Sequence, residues 1–196
     1  LTDECGKIDL NAMTIPGERL YREAQLKNLF ELLEIDIPEA ELDELVRSIK
    51  DWLDTDDEPE FGGAESDYYL SLDPPYVCKN GPFDTPEEIL LVKGMKPEYY
   101  YGTEDYQGIR DYVTVGTGGK ININTASAVV LMSMSQTYMS EDVVESIEDG
   151  RPFTSQQDFG RIQGLDLGDS SDEMRWIAKN LEVKSSLFSA DISGGM

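Results

Sequence analysis

The sequence predicts an α+β fold that is mainly helical, with two related helical units in tandem and a few short strands. Three observations carry that reading. Apolar residues recur at helical spacing in several stretches that open on Ser, Thr, Asp or Pro. Short alternating stretches such as GKIDLN (6–11) and GGKININ (118–124) read as strands. Four phrases also occur twice, in the same order.

The elements follow along the chain. Strand 6–11 leads into a helix over 17–34, whose apolar face holds Leu20, Leu26, Leu29, Phe30, Leu32 and Leu33. A second helix spans 36–54, with Asp36 as N-cap, Pro38 in the first turn and a stripe of Leu42, Leu45, Val46, Ile49, Trp52 and Leu53. Residues 71–83 are turn-rich. A helix over 85–95 takes Thr85 as cap and ends at Gly94. Strands at 111–115 and 118–124 precede a helix over 125–134, capped by Asn124 or Thr125. Helices at 140–149, 154–162 and 172–181 complete the set, and the last runs into a strand over EVKSSLFSADIS (182–193).

The repeat pairs GKIDLNAM (6–13) with GKININTA (119–126), and LVRSIKDWLD (45–54) with VVESIEDGRP (143–152). It also pairs FDTPEEILLVKGM (83–95) with FTSQQDFGRIQGL (153–165), and YVTV (112–115) with NLEV (180–183). The first copy carries roughly 30 extra residues between its second and third phrases, whereas in the second copy Pro152 is followed at once by Phe153. The extra segment is an insertion into a scaffold that folds without it, which implies a task of its own.

Composition narrows the function. There are 40 acidic residues against 16 basic, a net charge of −24. Such a polyanion repels nucleic acid and anionic lipid, and fits a secreted or periplasmic protein or a binder of divalent cations. The chain has no histidine, which removes imidazole triads and the commonest transition-metal ligand. Its two cysteines, Cys5 and Cys78, either pair or remain two thiols. A bridge would contribute about 4 kcal/mol and imply an oxidising compartment. No apolar run approaches the length of a membrane span. The abrupt start and Gly-rich end read as a fragment of a longer chain.

The insertion begins DWLDTDDEPEFGGAESDYY (51–69), with eight carboxylates from Asp51 to Asp67 and no Lys or Arg among them. Crowded carboxylates raise one another's pKa, and a hard cation relieves that cost. Counted from Asp54, Asp56 and Glu58 fall at positions 3 and 5, Glu60 at 7 and Glu65 at 12, as in a calcium-binding EF loop. Position 6 is Pro59 rather than Gly, so the backbone is not of that type. Gly62 and Gly63 allow the chain to fold Glu65 back onto Asp54 and Asp56, and Asp51 shares a helix face with Asp54. Calcium fits better than magnesium, which keeps more of its waters. A solvated acidic loop is the plain alternative. A hydrolase using Asp54 and Glu65 as acid and base lacks any other sign of a substrate cleft, so the reading is non-catalytic.

GKININTASAVVL, with VKGM and IQGL hairpins nearby, resembles the helix-hairpin-helix module of competence DNA receptors. The resemblance implies helix-hairpin-helix or SAM-like units. It leaves a DNA-binding module as the functional alternative. Against it, the hairpins lack a GxG pair, and Lys93, Lys96, Lys120 and Arg161 do not offset the acidic field. Phosphate binding therefore reads as lost.

Four phrases in order, DECGKIDLN, DWLDTDDEPEFGGAESDYY, PPYVCKNGPFDTPEEILLVKGM and ININTASAVVL, resemble the K-type minor pseudopilin of type II secretion (general secretion pathway protein K) over most of residues 1–135. The resemblance implies a pilin-like domain interrupted by a large helical domain. It divides the chain into 1–117, a strand and helical unit with the acidic metal loop; 118–185, a second helical unit; and 186–196, the start of a truncated sheet segment. It further implies a structural role at the pseudopilus tip with the I and J minor pseudopilins, helping to start assembly for protein export. The expected location is the periplasmic face of the inner membrane of a Gram-negative bacterium, reached through an N-terminal helix absent from this chain. The resemblance also implies bound Ca2+. Asp51, Asp54, Asp56 and Glu65 carry over as ligands, Asp67 less firmly, and Glu58 comes from the loop count. Cys5 and Cys78 depart from the family pattern and make sense as a disulfide pair. A type IV pilus minor pilin with the same insertion is the nearest alternative within this reading.

Overall fold

Residues 1–190 are described by the structure, a computed structural model. Strand β1 (Thr2–Asp3) and a 3-10 turn (Glu4–Gly6) lead to β2 (Ile8–Asp9) and a second 3-10 turn (Leu10–Thr14). Helices α1 (Arg19–Leu32) and α2 (Glu39–Leu53) follow, and then the short α3 (Ser66–Leu70) and α4 (Pro97–Tyr101). Strands β3 (Val113–Thr114) and β4 (Ile121–Asn122) precede α5 (Ala128–Ser133), α6 (Glu141–Gly150) and α7 (Asp172–Asn180). The chain closes with β5 (Leu181–Glu182) and β6 (Phe188–Ser189). The mainly helical α+β architecture agrees with the sequence. The expected strand over 182–193 is two short strands, and its end at 191–193, like all of 191–196, lies outside the described residues.

The duplication is visible as geometry. β2 pairs in parallel with β3, Ile8 opposite Val113, and β4 pairs in parallel with β5, Ile121 opposite Leu181. In the first copy Asn11 Nδ2 donates to the Phe83 carbonyl at 3.0 Å, and the Phe83 N–H donates to Asn11 Oδ1 at 2.8 Å. In the second, Asn124 and Phe153 exchange the same two bonds at 2.9 and 2.7 Å. Each amide staples the start of its unit to the phrase after its second helix. The copies differ two residues earlier, at Asp9 and Asn122. Asp9 collects the N–H groups of Gly118 at 2.8 Å and of Gly116 and Gly119 at 3.3 Å, so the Gly-rich link between the units wraps a carboxylate. Gly119 sits at φ +75°, where a Cβ would stand 2.6 Å from the Arg22 guanidinium.

Several local expectations change. Strand 6–11 stops at Asp9, because the Asp9 carboxylate accepts the Asn11 N–H at 3.0 Å and bends the chain. The segments 85–95 and 154–162 form 3-10 turns (Pro86–Leu91 and Gln156–Arg161) rather than α-helices, and the chain then reverses at Gly94 (φ +85°) and Gly164 (φ +83°). Pro38, not Asp36, opens α2, and Thr85 makes no side-chain cap. Ser127 caps α5 by accepting the Val130 N–H at 3.3 Å, in place of Asn124, whose amide is used in the staple, or Thr125, whose hydroxyl donates to Asp3 at 2.6 Å.

The two units share one continuous apolar core, with α1 packed along α5. A buried polar knot ties α1 to α7. Glu18 accepts from Arg22 at 2.8 Å, Trp176 Nε1 at 3.0 Å, Asn180 Nδ2 at 3.1 Å and Lys179 at 2.6 Å. Although burial opposes ionisation, these donors hold the Glu18 carboxyl down at about 2.

The cysteines correct the disulfide expectation. Both are buried free thiols. Cys5 Sγ lies 3.7 Å from Ser186 Oγ and accepts the Ser186 N–H at 3.4 Å, beside the β1–β6 pair. Cys78 Sγ faces the Asp51 carbonyl at 3.7 Å, under the acidic loop. The two thiols have different neighbours, Ser186 for Cys5 and the Asp51 carbonyl for Cys78.

Candidate metal centre

Three of the acidic residues converge. Asp54 ends α2, Asp56 lies two residues on, and Glu65 opens α3. One carboxylate oxygen from each lies within 4.8 Å of the other two. Glu65 is 3% exposed and its oxygens meet no N–H or O–H donor, with only the Cys78 thiol beside them to lower its pKa; Asp54 Oδ1 is likewise buried without a partner. An unpaired buried carboxylate is costly, so the acid form gains. Burial, and then Asp51, Asp54 and Asp57 nearby, push Glu65 up to about 7. Burial and Asp56 raise Asp54.

Orphaned oxygens facing one another fit a hard cation, which supplies the missing charge and takes further oxygens from carbonyls and water. Asp54, Asp56 and Glu65 would hold it. A cation bound there would tie the end of α2 to the start of α3, an electrostatic and structural role.

The remaining candidates fall elsewhere. Asp51 is fully buried, but it works inside the loop: its carboxylate accepts the Ala64 N–H at 2.8 Å and the Glu60 N–H at 3.2 Å. Burial raises its pKa, and those two N–H groups oppose the rise. Glu58 and Asp67 are exposed and stand outside the cluster. The residues between are braced by cations from other elements. Glu60 turns away to Lys50 and to Arg19, the latter at 2.9 Å. Lys93 Nζ donates to the Gly62 and Gly63 carbonyls at 2.9 and 3.2 Å. Asn80, in the KNGP phrase, donates to the Asp56 carbonyl at 2.8 Å from a left-handed backbone, φ +49°. These braces were missed in the sequence; the only local signal was Lys50 four residues before Asp54. Beneath the loop, Trp52 packs edge-on to Tyr69, with ring centroids 5.1 Å apart.

Beside Gly164 the surface is lined by Asp142, Glu145 and Asp149, with Arg161 the one cation among the described lining residues.

The fold is a duplicated helical scaffold with a carboxylate cluster built into one copy, running from exposed Asp56 through half-buried Asp54 to buried Glu65. The chain belongs to the type II secretion system protein K family, whose descriptions match residues 6–116 and 121–178. It is 35% identical over 94 residues to a putative type II secretion system protein K of Escherichia coli, covering 47% of this chain and 27% of that one. It is 28% identical over 165 residues to the type II secretion system protein K of Pseudomonas aeruginosa, covering 81% of this chain and 46% of that one. The chain thus spans less than half the length of these two relatives. In fold it resembles a chain from the crystal structure of the GspK-GspI-GspJ complex of enterotoxigenic Escherichia coli, with a TM-score of 0.74 at 22% identity over 94% of this chain and 64% of that one. Family membership favours type II secretion over the type IV pilus alternative. Among the described residues no helix is long and apolar enough to cross a membrane.

Proposed function

We propose that this chain is the helical head region of a minor pseudopilin, which joins the I and J minor pseudopilins at the tip of the secretion pseudopilus and helps to start its assembly. The protein acts as a scaffold, without catalysis. It is held at the periplasmic face of the inner membrane by a hydrophobic helix outside this sequence. The observation that carries the reading is family membership across both helical units, with a fold like a chain of a K–I–J complex. Calcium stabilises the head by binding Asp54, Asp56 and Glu65, the buried oxygens of Asp54 and Glu65 being the ones without N–H or O–H donors.

Two experiments test this reading separately. Light scattering of the chain mixed with purified I and J heads should give a heteromeric complex; three independent species would remove the partner assignment. Thermal midpoints in calcium, magnesium and EDTA should show a rise with calcium, about 2.7 kcal/mol of stabilisation at a hundredfold excess over Kd. An unchanged midpoint would leave the loop as a solvated acidic surface.

A further inference from the structure

Helix α1 ends in a Schellman turn: the Ile35 N–H donates to the Phe30 carbonyl at 3.1 Å, and the Glu34 N–H to the Glu31 carbonyl at 3.0 Å. The left-handed position of this turn normally belongs to Gly. Here it is Glu34, at φ +53°. An L-residue in that conformation is strained, so the chain accepts strain at a point where it also places a carboxylate. That carboxylate stands at the mouth of a groove between the end of α1 and the start of α2.

The groove has a volume of about 670 Å³, the size range of ligand sites. Its floor is apolar: Phe30 and Ile35 are buried, and Ile37 and Leu42 are half-buried with their outer surfaces open. Its rim is acidic. Glu34, Asp36 and Glu39 are exposed, and among the described residues none of the three has an ion pair or a side-chain hydrogen bond. The one cation lining the groove, Lys27, is already bound to Asp43. An apolar floor inside an unpaired ring of negative charge is complementary to an apolar side chain flanked by Lys or Arg. A second copy of this chain does not meet that description, since each copy carries a net charge of −24.

We propose that the α1–α2 groove is a docking site for a basic amphipathic segment of a partner protein. One or two apolar side chains seat on Ile37 and Leu42, and Lys or Arg on either side meets Glu34, Asp36 and Glu39. This is the helix-in-groove mode of recognition, with charge setting the on-rate and the preferred sign of the partner. The inference does not depend on the tip assignment, because it rests on this groove alone.

The test uses the whole chain and a fluorescein-labelled helical peptide with leucines on one face, flanked by Lys and Arg. Anisotropy should show binding that weakens as salt rises toward roughly 0.3 M. A scrambled peptide of the same composition should bind at least tenfold more weakly. The triple variant E34K/D36K/E39K should lose at least tenfold in affinity, whereas D142K/E145K/D149K, with the same charge change beside Gly164, should keep it. Ile37→Lys, which fills the floor at a half-exposed position, should also lose binding, and circular dichroism would confirm that each variant is folded. Equal loss in both triple variants would reduce the effect to non-specific attraction to a polyanion and overturn the proposal. So would equal binding of the scrambled peptide, no binding at all, or sedimentation showing that the groove variants abolish a self-association of the chain.

Discussion

Gly63 faces the Asp51 carboxylate so closely that a Cβ at position 63 would stand 1.9 Å from Asp51 Oδ2. The carboxylate needs that space to hold the Ala64 and Glu60 N–H groups and so to fold the acidic insertion back on α2. Gly63→Ala should therefore lower stability by about 2 kcal/mol through overpacking against a buried polar group. Chemical denaturation with and without calcium checks this, and calcium stabilisation should shrink with it. A wild-type midpoint for the variant would mean that the loop has another way to fold.

Glu65 gives the metal-free protein a distinctive pH response. Its folded value, about 7, lies above its ordinary 4.5. Between those values the folded state holds more protons than the unfolded state, so stability falls as pH rises through that window, by at most about 1.4 kcal/mol per pH unit. Calcium, which favours the ionised form, should flatten the slope. Glu65→Gln should flatten it too, without calcium. Denaturation midpoints at intervals from pH 4.5 to 7.5 would reveal a flat metal-free curve if the carboxylate is not strained.

Glu18 acts in the opposite direction. Its value is held near 2, below 4.5, so its contribution is fully present above about pH 4.5 and is lost as pH falls toward 2. Removing one partner of a buried ionic network costs about 3 kcal/mol. Glu18→Ala should show a loss of that order at pH 7 and a smaller one near pH 3, followed by urea unfolding. A loss independent of pH would assign the effect to packing alone.

The thiols should titrate as two. Unfolded, unreduced protein should react at both Cys5 and Cys78, while the native protein reacts slowly, since burial and the nearby Glu65 push the Cys78 thiol up to about 12. Finding no free thiol in the unfolded chain would restore the bridge.

Phrase order, not individual residues, made the fold legible. Asn11 and Asn124 occupy matching places in the repeat, and the structure gives them matching bonds. The convergence of Asp54, Asp56 and Glu65 was also readable, because Gly62 and Gly63 permit the reversal. What the sequence hid were contacts set by tertiary packing. Asp51 looked like a ligand because it is three residues from Asp54 on a helix, yet the chain folds over it and uses its oxygens for backbone N–H groups. Glu58 matched a spacing borrowed from another loop, and Pro59 had already excluded that loop's backbone. The cysteine pairing rested on their number and on both departing from the family pattern in motif loops, not on any contact between them. Each thiol instead packs against its own neighbours, Ser186 and the Asp51 carbonyl.

The strand pairs are nested. β2–β3 joins Asp9 to Thr114 and β4–β5 joins Asn122 to Glu182, while β1–β6 joins Asp3 to Phe188 across both. Closing each of these long loops sacrifices chain entropy before any contact compensates, and such topologies fold slowly. Refolding should therefore run from the inside outwards: local helices first, then each parallel pair, and last the outer antiparallel pair. The acidic insertion lies within the longer of the two inner loops. A cation that gathered residues 54–65 early would shorten the stretch that β2 must search to find β3, so on the calcium reading the loop would set how quickly this region forms as well as how firmly it stands.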